Sequence, residues 1–399
     1  MSVAGIIAEF DPFHNGHRYL IDTVRRELSP RAVVCVMSGQ FTQRGEPAIL
    51  DKFVRAELAV HGGADLVVEL PVCCAVNAAR EFAFGGCRTL SLLGVVTHLC
   101  FGSETGDLAL LEKTAELALK EDEPFRKALK GQLEAGRPYG TAYIRAMRAV
   151  LGPEIADFPH FPASNDILAL EYLKQLKQAD FGLVPHAVKR VGAAHKNGEI
   201  TEYYSSGESI RMSLHYEGVL EDIRDEVPPY TYEALENYSF LPDMEEKMLD
   251  MLRYAVTEMS PAAIAQAPGV SEGLENVIRK EIRKARSYAD LVERIRSKRY
   301  PESRVCRILT QILLGITGND LPNLLQQPAY VRVLAVNETG AGLISEAREK
   351  GAARIVVNPG KEDWGKEGAP SNLLLDMRAS EVYGMVCGRT PYNSSDLVN

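Results

Sequence analysis

GIIAEFDPFHNGHRYLI, residues 5–21, decides the reading of this chain. An apolar run ends at Glu9-Phe10-Asp11-Pro12, and His14 and His17 follow with Gly16 between them. A short apolar run, a turn and an amphipathic stretch read as strand, turn and helix. The chain holds eight histidines in 399 residues, so two placed this close ask for a shared role. The N-terminus of a helix that follows a parallel strand presents unpaired N–H groups and positive partial charge, which suits phosphate. Gly16 lets a ligand come close to the backbone. Two imidazoles spaced i, i+3 can face that ligand together. They can donate to phosphate oxygens that gain charge during substitution at phosphorus. Helix capping and metal binding are the plain alternatives; a metal needs further ligands and no Cys/His cluster lies nearby, so no metal site is expected. Neither Gly-x-Gly-x-x-Gly nor a Walker A pattern is present in this turn.

The same alternation continues downstream. RAVVCVM (31–37), ADLVVEL (64–70) and VVTHLCFG (95–102) read as further strands, with helical stretches at 52–63, 77–93 and 107–121. Residues 164–179 add a helix and FGLVPHAVKR (181–190) a strand. Continuously apolar runs mark strands buried on both faces, and strand–helix alternation implies a parallel sheet with right-handed crossovers. The expected fold is therefore α/β: a Rossmann-like parallel-sheet catalytic domain over 1–215, an acidic Pro-Pro linker at 216–230, and a region at 231–399. That last region is a mostly helical basic domain followed by a small C-terminal α/β segment, with strands at 330–337 and 353–360 and helices at 341–350 and 371–387.

Bulk properties narrow the class. Hydrophobic content of 46% and charged content of 25% are ordinary for a globular chain. No apolar run reaches the roughly 20 residues of a membrane span, and Met1–Gly5 has no basic leader. A cytoplasmic protein with no membrane partner is expected. The seven cysteines are scattered, with no C-x-x-C, and read as reduced buried thiols. Net charge is −9, yet Arg279 to Arg307 holds eleven Lys/Arg against four acids, a local +7. A cationic element on an acidic protein suggests one docked polyanion. Tyr288 and Tyr300 are interleaved with these charges, as in segments that stack on bases.

A second segment, YYSSGESIRMSL (203–214), offers hydroxyls and a fixed guanidinium at a helix start. FDPFHNGH resembles the HxGH signature of the nucleotidyltransferase superfamily, and Ser205, Ser206, Ser209 and Arg211 resemble its second signature. The likeness extends further. EFDPFHNGH, MSGQFTQRGEPAILDK, GADLVVELP, FGSE, FPASNDILALEYL, KRVGAAH and SKRYPESRVCRIL together resemble the bacterial tRNA(Met) cytidine acetate ligase family, and VLAVNETG and DMRASEVYG also fit.

The resemblance implies an enzyme that activates acetate with ATP to acetyl-adenylate and acetylates the wobble cytidine of elongator tRNA(Met). It implies an ATP site at Ile7, Ala8, Glu9, Phe10, Asp11, Pro12, Phe13, His14, Asn15, Gly16, His17, Arg18, Tyr19 and Leu20. Gly102, Asn165, Arg190, Val191, Ser205 and Ser206 would complete it. His14, His17 and Arg211 would be catalytic, Mg²⁺ would accompany ATP, and no obligate protein partner is evident. Independently, the polar Gly-flanked loop after the second strand suggests that Ser38, Gly39, Gln43 and Arg44 hold acetate, with an ordinary surface loop as the alternative. Lys298, Arg299, Arg304 and Arg307 are the expected tRNA contacts. His195, in KRVGAAH, is the remaining histidine worth testing. The competing readings are a nucleotidyltransferase making a cofactor or headgroup precursor, and a non-catalytic RNA-binding protein on the same fold. The basic segment counts against the first, and the intact His14-x-Gly16-His17 against the second.

Overall fold

The computed structural model describes residues 2–190, 207–214, 220–237, 244–326, 330–350, 353–359 and 371–388. Val191, His195, Ser205 and Ser206 lie outside the described residues. Seven strands form one sheet: β1 Val3–Ala8, β2 Ala32–Ser38, β3 Leu66–Leu70, β4 His98–Ser103, β5 Val184–Lys189, β6 Tyr330–Val336 and β7 Arg354–Val356. Their order is β5-β4-β1-β2-β3-β6-β7. The first five are mutually parallel, as their apolar runs predict. β1 sits between β2 and β4, with Ile7 opposite Val36 and Ile6 opposite Cys100. The chain leaves β1 toward β2 on one side and later returns to β4 on the other. This reversal opens a crevice at the carboxyl end of β1.

Two apolar cores cover the two faces of the sheet. One contains Ile7, Phe82, Phe101 and Tyr172; the other contains Phe10, Phe13, Ile21 and Leu50. The helices at Asn15–Leu28, Lys52–His61, Ala79–Leu92, Leu108–Lys120 and Ser164–Gln178 match the sequence reading. Residues 122–163, left unassigned by the sequence, contribute packed helices at Glu123–Glu134 and Tyr139–Leu151. All seven cysteines are buried thiols, none in a disulfide. Among the described residues no helix is long and apolar enough to cross a membrane.

Three expectations change. The C-terminal α/β segment exists, but it does not stand apart: β6 pairs antiparallel with β3, Leu66 opposite Val336, and β7 pairs parallel with β6. The reason is burial. Asp376 accepts from the Val72 N–H at 2.7 Å, and Tyr383 donates to the Ala48 carbonyl at 2.8 Å, both deep in the first domain. Nor is the described part of 216–230 a free linker. It forms a turn at Leu220–Ile223, buries Ile223 and Val227, and receives Asn15 at the carbonyls of Asp225 and Glu226. Tyr288 and Tyr300 are buried at 4% and 7% exposure. They belong to the separate core of the helical region 244–315 and offer no ring face for bases.

Candidate active site

Phe10, just past β1, adopts a left-handed conformation, φ +48°, held between Phe13 and His17. A non-glycine residue keeps such a conformation only where its surroundings fix it, commonly at functional turns. The turn delivers His14 to the N-cap of the helix Asn15–Leu28. His14 Nδ1 accepts from the Gly16 N–H at 3.1 Å, and His17 Nδ1 accepts from the His14 N–H at 3.3 Å. With both Nδ1 atoms acting as acceptors, the neutral rings carry their protons on Nε2. The rings stack 3.6 Å apart. Burial, then the charges of Arg190 and Arg211, pushes the His14 pKa down to about 3. Burial and the adjacent His14 hold His17 well below the usual imidazole range. The turn therefore presents two uncharged N–H donors beside a helix N-terminus.

Arg211 arrives from the helix Gly207–Met212. It donates to the Asp11 carbonyl at 2.6 Å and stands 3.7 Å from the Asp11 carboxylate. A Cβ on Gly207 would lie 3.3 Å from the Asp11 carbonyl oxygen and 3.8 Å from the His14 ring. The two signatures, far apart in sequence, therefore meet at one point.

They border a cleft of about 710 Å³. From the expected ATP site, Ile7, Ala8, Glu9, Phe10, Asp11, His14, Gly16, His17, Tyr19 and Leu20 line it, together with Gly102, Asn165 and Arg190. Pro12, Phe13, Asn15 and Arg18 do not line it. Phe13 is core, Asn15 holds the 225–226 carbonyls, and Arg18 faces Asp22 on the surface. Gly102 leaves bare backbone on β4, since a Cβ there would meet Arg190 at 3.3 Å. Glu104 caps the helix Ser164–Gln178 by accepting from the backbone N–H groups of Asn165 and Asp166. It also accepts the Asn165 side-chain amide at 2.6 Å, which leaves the Asn165 Oδ1 to accept from a ligand.

The loop after β2 divides. Gln43 and Arg44 line the cleft, while Ser38 and Gly39 sit beneath it, their carbonyls taken by Arg55. The Gln43 N–H donates to Glu9 Oε1 at 2.6 Å, and burial raises the Glu9 pKa against that bond. Arg44 grips Glu208 with two bonds of 2.7 and 2.6 Å. The sequence reading missed Glu104, Tyr172 and Lys189 as lining residues. FGSE contained Glu104, and its place at the end of a strand was a usable signal.

The expected tRNA residues lie elsewhere. Lys298 and Arg299 are exposed, and Arg299 pairs with Glu272. Arg304 packs over Tyr300 and donates to the Gly269 carbonyl. Arg307 is not an open surface charge. It is largely buried and reaches the Gln43 carbonyl at 3.3 Å.

The HIGH Nucleotidyl Transferase family matches residues 1–396. A tRNA(Met) cytidine acetate ligase of Clostridium perfringens is 35% identical, with 100% of this chain and 99% of that protein covered. One of Acetivibrio thermocellus is 36% identical, covering 98% and 96%. The crystal structure of Thermotoga maritima TmcAL bound with alpha-thio ATP is 31% identical, with a TM-score of 0.83 over 97% of this chain and 95% of that one. The apo form reaches 0.84 at 30% identity, over 100% and 99%. With the two signature segments joined at one cleft and likeness over its whole length, this chain belongs to the tRNA(Met) cytidine acetate ligase family.

Proposed function

We propose that this chain is an ATP-dependent ligase. It joins acetate to ATP as acetyl-adenylate with release of pyrophosphate, then transfers the acetyl group to the exocyclic amine of the wobble cytidine in elongator tRNA(Met), releasing AMP. The observation that carries the reading is the pair of neutral Nε2–H donors at a helix N-terminus, with Arg211 beside them.

In the first step an acetate oxygen bonds to the α-phosphorus, and the bond to the β-phosphate oxygen breaks with its electrons leaving on pyrophosphate. His14 and His17 would turn their Nε2–H groups toward that charge at the positive end of the helix, and donors fixed in advance stabilise it without reorganising. Arg211 supplies a charge that cannot be lost. Adenosine would lie along the bare backbone at Gly102, accepted by Asn165 and held near Arg190. In the second step the cytidine amine attacks the acetyl carbonyl, and adenylate is the good leaving group. No protein nucleophile is required; positioning does the work.

Mg²⁺ would travel with the triphosphate. Among the described residues no group of three His, Cys, Asp or Glu side chains is placed to hold an ion, so no step is assigned to a protein-held metal. For tRNA, exposed basic residues of the helical region such as Arg283 and Lys298, with no ion pair among the described residues, suit the phosphate backbone together with Arg299 and Arg304.

Acetate-dependent ATP–pyrophosphate exchange tests the reading. Exchange with acetate alone, and acetylated cytidine only when elongator tRNA(Met) is added, is the expected result. Absence of acetate-dependent exchange would overturn it.

A further inference from the structure

Three carboxylates line the same cleft as His14, His17 and Arg211: those of Glu9, Asp11 and Glu208. A triphosphate is a polyanion, so acids beside it oppose its binding unless they are engaged. Each of the three has a partner. The Ile49 N–H donates to Asp11 Oδ1 at 2.8 Å, and the Gln43 N–H donates to Glu9 Oε1. Arg44 holds both oxygens of Glu208. Gln43 and Arg44 are consecutive. One dipeptide of the loop after β2 therefore grips an acid at the end of β1 and an acid on the helix Gly207–Met212. The loop is itself pinned, by Thr310 at the Gly45 carbonyl and by Arg307 at that of Gln43.

Glu208 differs from Asp11 in its freedom to move. The Asp11 side chain is 1% exposed, whereas that of Glu208 is 52% exposed. Glu208 follows Gly207, where a Cβ would lie 3.3 Å from the Arg211 guanidinium and 3.8 Å from the His14 ring. On one helix, residues spaced i, i+3 are neighbours, as Glu208 and Arg211 are. A Glu208 released from Arg44 can therefore turn onto Arg211, and its charge would stand beside the triphosphate.

We infer that Arg44 is a positioning residue for adenylation: it neutralises Glu208 and holds that carboxylate off Arg211, which is thereby kept for the phosphates. The inference rests on the reading above, in which the triphosphate meets His14, His17 and Arg211. Arg44 then acts through Glu208 and not as a ligand of acetate. The bidentate grip suits this task, because two parallel bonds to a planar guanidinium fix where the carboxylate points as well as cancelling its charge. Half-exposed ion pairs add little to stability, so the consequence of the grip is electrostatic, at the phosphates, and not a matter of the fold.

Acetate-dependent ATP–pyrophosphate exchange by Arg44→Ala, and by Arg44→Ala combined with Glu208→Gln, tests this. Arg44→Ala is expected to raise the ATP KM about tenfold, the scale of one like charge set free at a half-exposed site. The acetate KM is expected to stay within about twofold and Tm within about 2 °C, since such pairs add little to stability. Removing the charge of Glu208 as well is expected to bring the ATP KM back to within about threefold of the unaltered protein, because the two residues act as one coupled pair. A merely structural pair would lower Tm and show no such rescue. A raised ATP KM that Glu208→Gln does not relieve makes Arg44 a direct ligand of the triphosphate and overturns the inference. A selective rise in the acetate KM, or an unchanged ATP KM in Arg44→Ala, overturns it too. These outcomes leave the ligase reading intact; no acetate-dependent exchange in the unaltered protein overturns both.

Discussion

Each histidine of the opening turn spends one ring nitrogen on the backbone, and in the proposed function the other serves the ligand. His14→Asn separates these tasks. Asparagine is a good N-cap and can still accept from the Gly16 N–H, but it has no Nε2 donor at that place. Exchange activity is expected to fall on the order of 10²–10³, as when one donor to a developing charge is removed, with the fold retained. The same variant carries a pH signature. An unfolded histidine takes a proton near pH 6.5, whereas buried His14 resists until about 3. Between those values the unfolded chain binds more protons, so the stabilisation present above pH 6.5 is lost as pH falls toward 3, up to about 5 kcal/mol. His14→Asn is expected to flatten the ligand-free Tm profile below pH 6.5; a parallel profile would place the acid sensitivity elsewhere. These histidines were legible because strand, turn and cap are consecutive in the chain. The Arg44–Glu208 pair was not, because its members lie 164 residues apart and YYSSGESIRMSL shows only an acid at a helix start.

Between elements, the decisive contact joins the helix Glu302–Leu314 to the loop after β2. Thr310 donates to the Gly45 carbonyl, Arg307 to that of Gln43, and Gln311 to that of Val76 at 2.7 Å. Gly45 has φ +84°, and a Cβ there would lie 2.5 Å from the Arg307 backbone nitrogen. Gly45→Ala meets both strain and clash. A loss of about 2 kcal/mol is expected in thermal unfolding, with weaker exchange because the displaced Gln43 no longer fixes Glu9. Wild-type Tm and exchange would show the loop to be uncoupled from the helix. The +7 charge in sequence correctly marked a cationic helical region, but charge alone did not separate Arg307, spent on this contact, from outward-facing neighbours. Arg283→Glu with Lys298→Glu is expected to weaken tRNA binding and reduce the slope of its salt dependence by about one to two, leaving acetate-dependent exchange unchanged. Loss of exchange would make the segment structural.

At the scale of the molecule, the parallel pairing of the first five strands followed from their apolar runs, since burial on both faces leaves a period-free pattern, while their order came only with the structure. The place of β6 did not. YVRVLAVN reads as a strand, but nothing local names its neighbour, and pairing with β3 is a contact across about 270 residues, Leu66 to Val336. A chain ending at residue 326 would lack β6 and the buried bonds from Asp376 to Val72 and from Tyr383 to Ala48. Such a chain is expected to aggregate or to unfold without a cooperative transition, as judged by gel filtration and circular dichroism. A soluble monomer that retains acetate-dependent exchange would show that the last strands are dispensable.

The late arrival of β6 also matters while the protein is being made. At synthesis rates of about 5–20 residues per second, roughly 10–50 s separate the emergence of β3 from that of its last neighbour. Throughout that interval the nascent chain holds an unpaired edge, LVVEL, apolar but for Glu69, which invites pairing with another nascent chain. The buried Lys52–Glu69 ion pair places one charge within that strand, so until the chain closes Glu69 is a gatekeeper against misassembly. Yield in the cell then depends on translation speed and chaperone supply more than the stability of the finished protein would suggest.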